Sequence, residues 1–197
     1  MLKNKDEKLD PRVIRTRALI VQAFMDLMQT RDFSQLTVQD LSDHAMINRA
    51  TFYAHFNDKY DLFQYATRAW FQEHLDKSMP TADSFTVENV RALTASTYSF
   101  LGGFIGHCSP ANRHQDLPFE KHIQGYLYEI LLDWIQAVDP ALLPENAIPE
   151  TIATALSWAI FGSAINWAQG SQKTTAEQEV EQLLTMITSG IFTPLSG

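Results

Sequence analysis

Residues 36–59, LTVQDLSDHAMINRATFYAHFNDK, constrain this chain more than any other stretch. Thr37 is suited to cap a helix, and Asp40 follows three residues later, where its carboxylate can reach back as in a capping box. Val38, Leu41 and Ala45 then recur at helical spacing and form an inner stripe. Asn48 is a second N-cap, so two helices of about two turns each are predicted on either side of a tight turn at Met46 and Ile47. In the second of these helices Phe52 and Phe56 stand four apart and share one face, which should be buried. Ala50 and Ala54 fall on the opposite face, flanked by Thr51 and Tyr53. The spacing is that of a helix-turn-helix.

The flanking sequence is helical too. Asp10-Pro11 is a helix start, with an acidic cap and then proline at the first helical position. Ile14, Ala18, Val21, Met25 and Met28 give an apolar stripe that predicts a helix to about residue 30. Arg12, Arg15 and Arg17 cluster in its first turns, as a solvated face or as phosphate contacts. Phe33, in the break after this helix, reads as an aromatic plug in the core. Residues 1–9 form a charged arm in which Lys3, Lys5 and Lys8 are solvated or add loose phosphate contacts.

Composition narrows the class. A chain of 197 residues, 45% hydrophobic and 19% charged, is of the soluble globular type. Its charged start lacks the apolar core of a signal peptide. The longest apolar run, residues 152–167, is interrupted by Thr154, Ser157, Ser163 and Asn166 and is too polar for a membrane span. Cys108 stands alone, so no internal disulfide forms, in keeping with a reducing cytoplasm. The net charge of −8 argues against a protein that coats nucleic acid generally. The charge is uneven, however: residues 1–60 hold 9 Lys/Arg against 8 Asp/Glu, and the remainder 6 against 15. Phosphate would repel such a body, yet the near-neutral head could still touch it.

The helix after Asn48 carries groups suited to a DNA groove. Small Ala50 and Ala54 let its axis approach base edges, and Arg49 has the planar fork that pairs bidentately with guanine. Thr51, Tyr53 and His55 offer hydroxyl and imidazole groups to phosphate oxygens, and Lys59 offers a cation at the start of the next helix. Thr16-Arg17, Phe33, Leu36-Thr37-Val38, Leu41 and Ala45, and above all Thr51-Phe52-Tyr53-Ala54-His55-Phe56-Asn57-Asp58-Lys59 with Leu62, resemble the DNA-binding domain of the TetR family of transcriptional regulators. The resemblance covers roughly residues 11–65. It implies a homodimer with one helix-turn-helix per subunit, an operator with two related half-sites, and release of DNA when an effector binds the C-terminal body. Carried over by position, it implies that Thr37 and Gln39 meet the DNA backbone, and that Arg49 and Ala50 face bases. Thr51, Tyr53, His55 and Lys59 would meet phosphates or groove edges, with Asn48 at the start of the helix completing the set. The sequence departs from the family pattern at the turn, where Met46 replaces the usual glycine and Asn48 a frequent serine. Glycine relieves strain at positive φ, so Met46 bears on how Arg49 is presented.

The body reads as helices throughout. Leu62, Ala66, Ala69–Trp70 and His74 predict a helix from Asn57 or Asp58 to about residue 78, the natural mechanical link to the body. Thr86 caps the next, to about residue 107, with Val90, Leu93, Thr97, Phe100–Leu101 and Phe104 inward. Gly102-Gly103 within it marks close packing, a kink or space beside a ligand. After a polar loop at 109–118, a helix over 119–137 carries Ile123, Tyr126–Leu127, Ile130–Leu131 and Trp134, and Pro140, Pro144 and Pro149 punctuate the connection to the next helix. Residues 150–169 are apolar nearly all round, with a small-residue strip of Ala155, Ala159 and Gly162, and should be buried on every side. Residues 176–189 place Val180, Leu183–Leu184 and Ile187 on one face, with Ile191 beyond. This surplus apolar surface, over about 150–191, predicts a self-complementary dimer bundle.

Trp70, Tyr98, Phe104, His107, Tyr126 and Trp134 could line a pocket for a flat or amphipathic effector, or be solid core. His107, Cys108, His114 and His122 match no zinc spacing, so no metal and no cofactor is expected. No serine elbow or ordered acid–His–nucleophile set points to an enzyme. The sequence therefore predicts an all-α cytoplasmic protein: a helix-turn-helix head over 1–60 and a helical regulatory and dimerisation body over 61–197. The predicted function is that of a ligand-responsive repressor. The rival is a co-regulator of the same fold that answers to a protein partner.

Overall fold

The computed structural model describes residues 10–107, 120–143, 146–170 and 173–189, without the side chains of 107, 120, 121 and 189. The arm with Lys3, Lys5 and Lys8, the loop at 109–118 with Cys108 and His114 beside and within it, Phe119, Pro144, Ser171 and Ile191 lie outside the described residues. Eight α-helices and two short 3-10 turns make up the described regular structure, as the sequence predicts. Among these residues no helix is long and apolar enough to cross a membrane. The chain divides into two compact units, one of residues Met1–Trp70 with His107–His122, the other of Phe71–Gly106 with Ile123–Gly197.

The first unit begins with α1 (Pro11–Thr30), whose cap Asp10 accepts from the backbone N–H of Arg12 at 2.8 Å. This helix buries Ile20, Ala23, Phe24, Leu27 and Met28, a different stripe from the one its spacing offers first. Ile14 is 46% exposed, and Ala18 also faces solvent. Aromatic contacts explain the choice. The Phe24 ring meets Phe33 at 6.1 Å and Phe63 at 5.8 Å, and stacks on Trp70 at 6.2 Å. Phe33 also meets Phe63 at 5.1 Å and Tyr60 at 5.3 Å, so it is the plug expected of it. Large rings bury more apolar area than Ile14 or Ala18, and they decide which face turns inward.

A 3-10 turn (Phe33–Gln35) leads to α2 (Val38–His44), which buries Leu41 and Ser42. Then come α3 (Arg49–Tyr53) and α4 (Lys59–Ser78). Helix α3 has only five residues, shorter than its sequence suggests, and a closing turn carries the chain on to Phe56. Along α4 the buried residues are Leu62, Phe63, Ala66, Thr67, Phe71 and Leu75, whereas Ala69 is exposed.

The second unit contains the end of α4, α5 (Val87–His107), α6 (Glu120–Gln136), α7 (Pro149–Gln169) and α8 (Ala176–Ser189). Thr86 caps α5, its Oγ1 accepting from the N–H of Asn89 at 3.1 Å. Tyr98, Leu93 and Leu101 of α5, Ile123, Leu127 and Leu131 of α6 and Ile160 and Phe161 of α7 form its core. Gln124 donates to the buried Ser157 hydroxyl at 2.9 Å, tying α6 to α7, and an Arg91–Glu181 ion pair ties α5 to α8. Helix α7 buries Ala153, Leu156, Ser157, Ile160, Phe161, Ala164 and Ala168. Within the single chain it is not covered all round: Trp158 is 48% exposed, and Ala155 also faces out.

The two central glycines of α5 differ. A Cβ on Gly102 would lie 2.9 Å from the Trp167 ring, so glycine is what lets this ring reach the helix backbone, as the close-packing reading requires. Gly103 has open space instead. Replacing Gly103 by alanine should therefore raise stability by about 1 kcal/mol through helix propensity alone. The same change at Gly102 should give no gain, because its methyl group meets the indole. Urea unfolding of the two variants reads the difference directly.

Candidate nucleic-acid interface

The interface is built on two caps and a strained turn. At the start of α2 the capping box is complete. Thr37 N donates to Asp40 Oδ2 at 2.9 Å, and Asp40 N donates to Thr37 Oγ1 at 3.1 Å. The Thr37 hydroxyl itself donates to Asp40 at 2.5 Å, and Arg31 pairs with the other carboxylate oxygen at 2.8 Å. Hydrogen bonds from Thr37, and then the Arg31 guanidinium, hold the Asp40 carboxyl below the usual carboxylate range. Gln39 is exposed and donates to Asp43 at 2.7 Å.

The turn passes through Met46 at φ 54, the left-handed region. Its side chain is 92% exposed and packs on little. The turn thus adopts the backbone that a glycine would give, and Met46 occupies it under strain. Asn48 then caps α3: its Oδ1 accepts from Thr51 N at 2.7 Å and from the Thr51 hydroxyl at 2.9 Å.

Helix α3 is two-faced, as its sequence demands. Phe52 and Phe56 are buried, whereas Arg49, Ala50, Tyr53 and Ala54 are exposed, with Thr51 and His55 at the margin. The Arg49 guanidinium lies back along the helix over the Tyr53 ring, 5.8 Å from its centroid, and reaches the Tyr53 hydroxyl at 3.3 Å. Arg17 of α1 lies 5.0 Å from the Tyr65 centroid and 5.7 Å from that of Phe56, bracing the floor beneath α3. Burial, and then the Arg17 charge, lower the His55 pKa, so at neutral pH this ring is an uncharged donor or acceptor. Arg12 and Arg15 of α1 are exposed.

Of the nine residues expected to meet DNA, Arg49, Ala50 and Tyr53 share the open face of α3. Asn48, Thr37 and Thr51 are engaged in caps, though Asn48 and Thr37 remain solvent-accessible. Lys59 is placed differently from the expectation of a free cation: its Nζ donates to the carbonyls of Phe33, Ser34 and Leu36 at 2.9 Å each. Burial lowers its pKa, with the Asp32 carboxylate opposing that shift. Ala54, one turn from Ala50 on the same open face, belongs with the set and was signalled by that four-residue spacing.

The aromatic residues considered for a ligand are seated in ring pairs. Trp70 stacks on Phe24 in the first unit. In the second, Tyr98 meets Trp167 at 5.6 Å, Tyr126 meets Phe71 at 5.9 Å and Phe104 meets Phe100 at 6.1 Å. Trp134 is buried, and the His107 side chain lies outside the described residues. Among the described residues no group of three or more His, Cys, Asp or Glu could hold a metal.

A capped helix, a left-handed turn and a short second helix with a small-residue open face over an aromatic floor define a helix-turn-helix DNA-binding module. Residues 20–66 match the family model described as bacterial regulatory proteins, tetR family. Over this stretch the chain carries a DNA-binding domain of the TetR family of transcriptional regulators. It is 36% identical over 63 residues to the uncharacterized HTH-type transcriptional regulator YxbF of Bacillus subtilis, a match covering 32% of this chain and 17% of that protein. It is 37% identical over 60 residues to DhaS, the dhaKLM operon transcriptional activator of Lactococcus lactis, covering 30% of this chain and 32% of that one. The matched stretch thus spans a third or less of either relative. Across the whole fold it is similar to FadR of Bacillus subtilis in complex with stearoyl-CoA, with a TM-score of 0.60 and 16% identity over 88% of this chain and 98% of that one.

The turn supplies a test. A left-handed residue with a Cβ costs about 1–2 kcal/mol, while a glycine adds freedom to the unfolded chain. Met46→Gly should therefore stabilise the protein by about 0.5–1 kcal/mol on balance, seen as a higher urea midpoint with an unchanged slope.

Proposed function

We propose that this chain is a homodimeric transcriptional regulator that binds a palindromic operator through the open face of α3 and is released by an effector bound in the body over 61–197. The observation that carries the reading is that open face. Arg49, Ala50, Tyr53 and Ala54 are all exposed on one side of a helix whose other side is sealed by Phe52. Small residues admit the helix to the major groove, and Arg49 and Tyr53 flank them with donors. Thr37, Gln39, Asn48, Thr51 and His55 surround this face as backbone contacts.

Two copies are needed because one half-site gives little affinity or specificity. Trp158 and Ala155 of α7, with Met186 of α8, supply an apolar surface for the partner subunit. Operator occupancy would act sterically, as a repressor in the cytoplasm. The Lactococcus relative is named an activator, so binding near a promoter can serve either sign. The fold neighbour was seen with stearoyl-CoA, which favours a small-molecule effector over control by a protein partner. Effector binding would shift the dimer toward a state whose two α3 helices no longer match successive major grooves.

Selection from a random duplex library with wild-type protein should recover an inverted repeat, and Arg49→Ala should relax the preference at one base pair of each half-site, by about 1–3 kcal/mol. Recovery of no preferred duplex would overturn the reading. Trp158→Glu should give a monomer by light scattering, and with it a loss of operator binding. A variant that stays dimeric would move the interface elsewhere.

A further inference from the structure

We infer that Lys59 is a positioning residue of the DNA-binding head: it clamps the backbone that leads into α2 onto the first turn of α4, and so sets the frame that holds α3, instead of contacting a phosphate. An ammonium has three N–H donors. Here all three have protein acceptors, the carbonyls of Phe33, Ser34 and Leu36, each at 2.9 Å. The Phe33 and Tyr60 rings lie 5.0 and 5.6 Å from Nζ, where their π-faces add attraction for the cation. The three carbonyls belong to the 3-10 turn and the residue just before the α2 cap, while Lys59 is the first residue of α4. Leu36 and Lys59 are 23 residues apart, and everything between them is the helix-turn-helix. One side chain therefore closes the segment at its two ends. A five-residue α3 has little stability of its own, so its orientation depends on such closure. A lysine drawn out to a phosphate would leave three carbonyls without this donor, which makes the exchange unfavourable.

The inference rests on the proposed DNA-binding reading and is tested with Lys59→Met and Lys59→Arg. The probes are a duplex selected by the wild-type protein and a scrambled duplex of equal length. A phosphate contact contributes about 0.9 to the slope of log affinity against log salt for each subunit. Its loss in Lys59→Met would lower that slope on both duplexes, and Lys59→Arg would restore it. A clamp predicts unchanged slopes on both duplexes and a fall of about tenfold in the ratio of selected to scrambled affinity, a ratio that lost folding stability alone would not move. Arginine should fail to restore the ratio, because its planar fork cannot converge on three carbonyls around one nitrogen. Reduced slopes rescued by arginine, or an unchanged ratio, would overturn the clamp. If Lys59→Met does not fold, Lys59→Arg carries the same comparison. If the wild-type protein selects no duplex, the DNA reading falls by itself. The clamp is then judged on the free protein, by a proton–nitrogen correlation tuned to lysine ammonium groups. One slowly exchanging signal, lost in Lys59→Arg, supports it, and the absence of such a signal defeats it.

Discussion

A helix of five residues has almost no stability of its own, yet α3 must present side chains to a fixed place in a groove. The structure of the head follows from that constraint. At one end Asn48 satisfies the free N–H of Thr51, and the left-handed turn at Met46 aims the helix. Beneath, Phe52 and Phe56 anchor it on an aromatic floor braced by Arg17 and Tyr65. Beyond its end, α4 begins at Lys59, whose ammonium reaches back to the approach to α2. Every rigid contact lies behind or beside α3, and the face left open is made of small and long polar residues.

The second unit answers a different need. Its interior is closed by large rings and by a glycine that lets Trp167 meet the α5 backbone. The face it leaves uncovered is informative, because an exposed tryptophan on a helix otherwise packed with alanine and aliphatic residues is costly in water. The proposed second copy of the chain would cover this face.

Much of the head was legible in the sequence, since its signals are local. The capping box, the Asn48 cap, the opposition of Phe52 to Ala50 and the glycine-like demand at Met46 all depend on residues within one turn of one another. The buried stripe of α1 was misread, and for a tertiary reason. Helix α1 offers two apolar stripes about a quarter-turn or more apart, and only the rings of Phe33, Phe63 and Trp70, distant in sequence, select the one through Phe24. The apolar outer face of α7 is legible in the sequence, but apolarity alone does not say what covers it. The partners of Lys59 are backbone carbonyls, which every residue carries, so no sequence pattern marks them.

The central claim is that the open face of α3 is where DNA binds. The most direct measurement is a proton–nitrogen NMR titration of the labelled protein with a duplex selected from a random library. The account predicts that the amides of Arg49, Ala50, Tyr53 and Ala54 shift most, saturating at one duplex per two chains. Saturable binding that leaves those amides unmoved and shifts residues of another helix would contradict it.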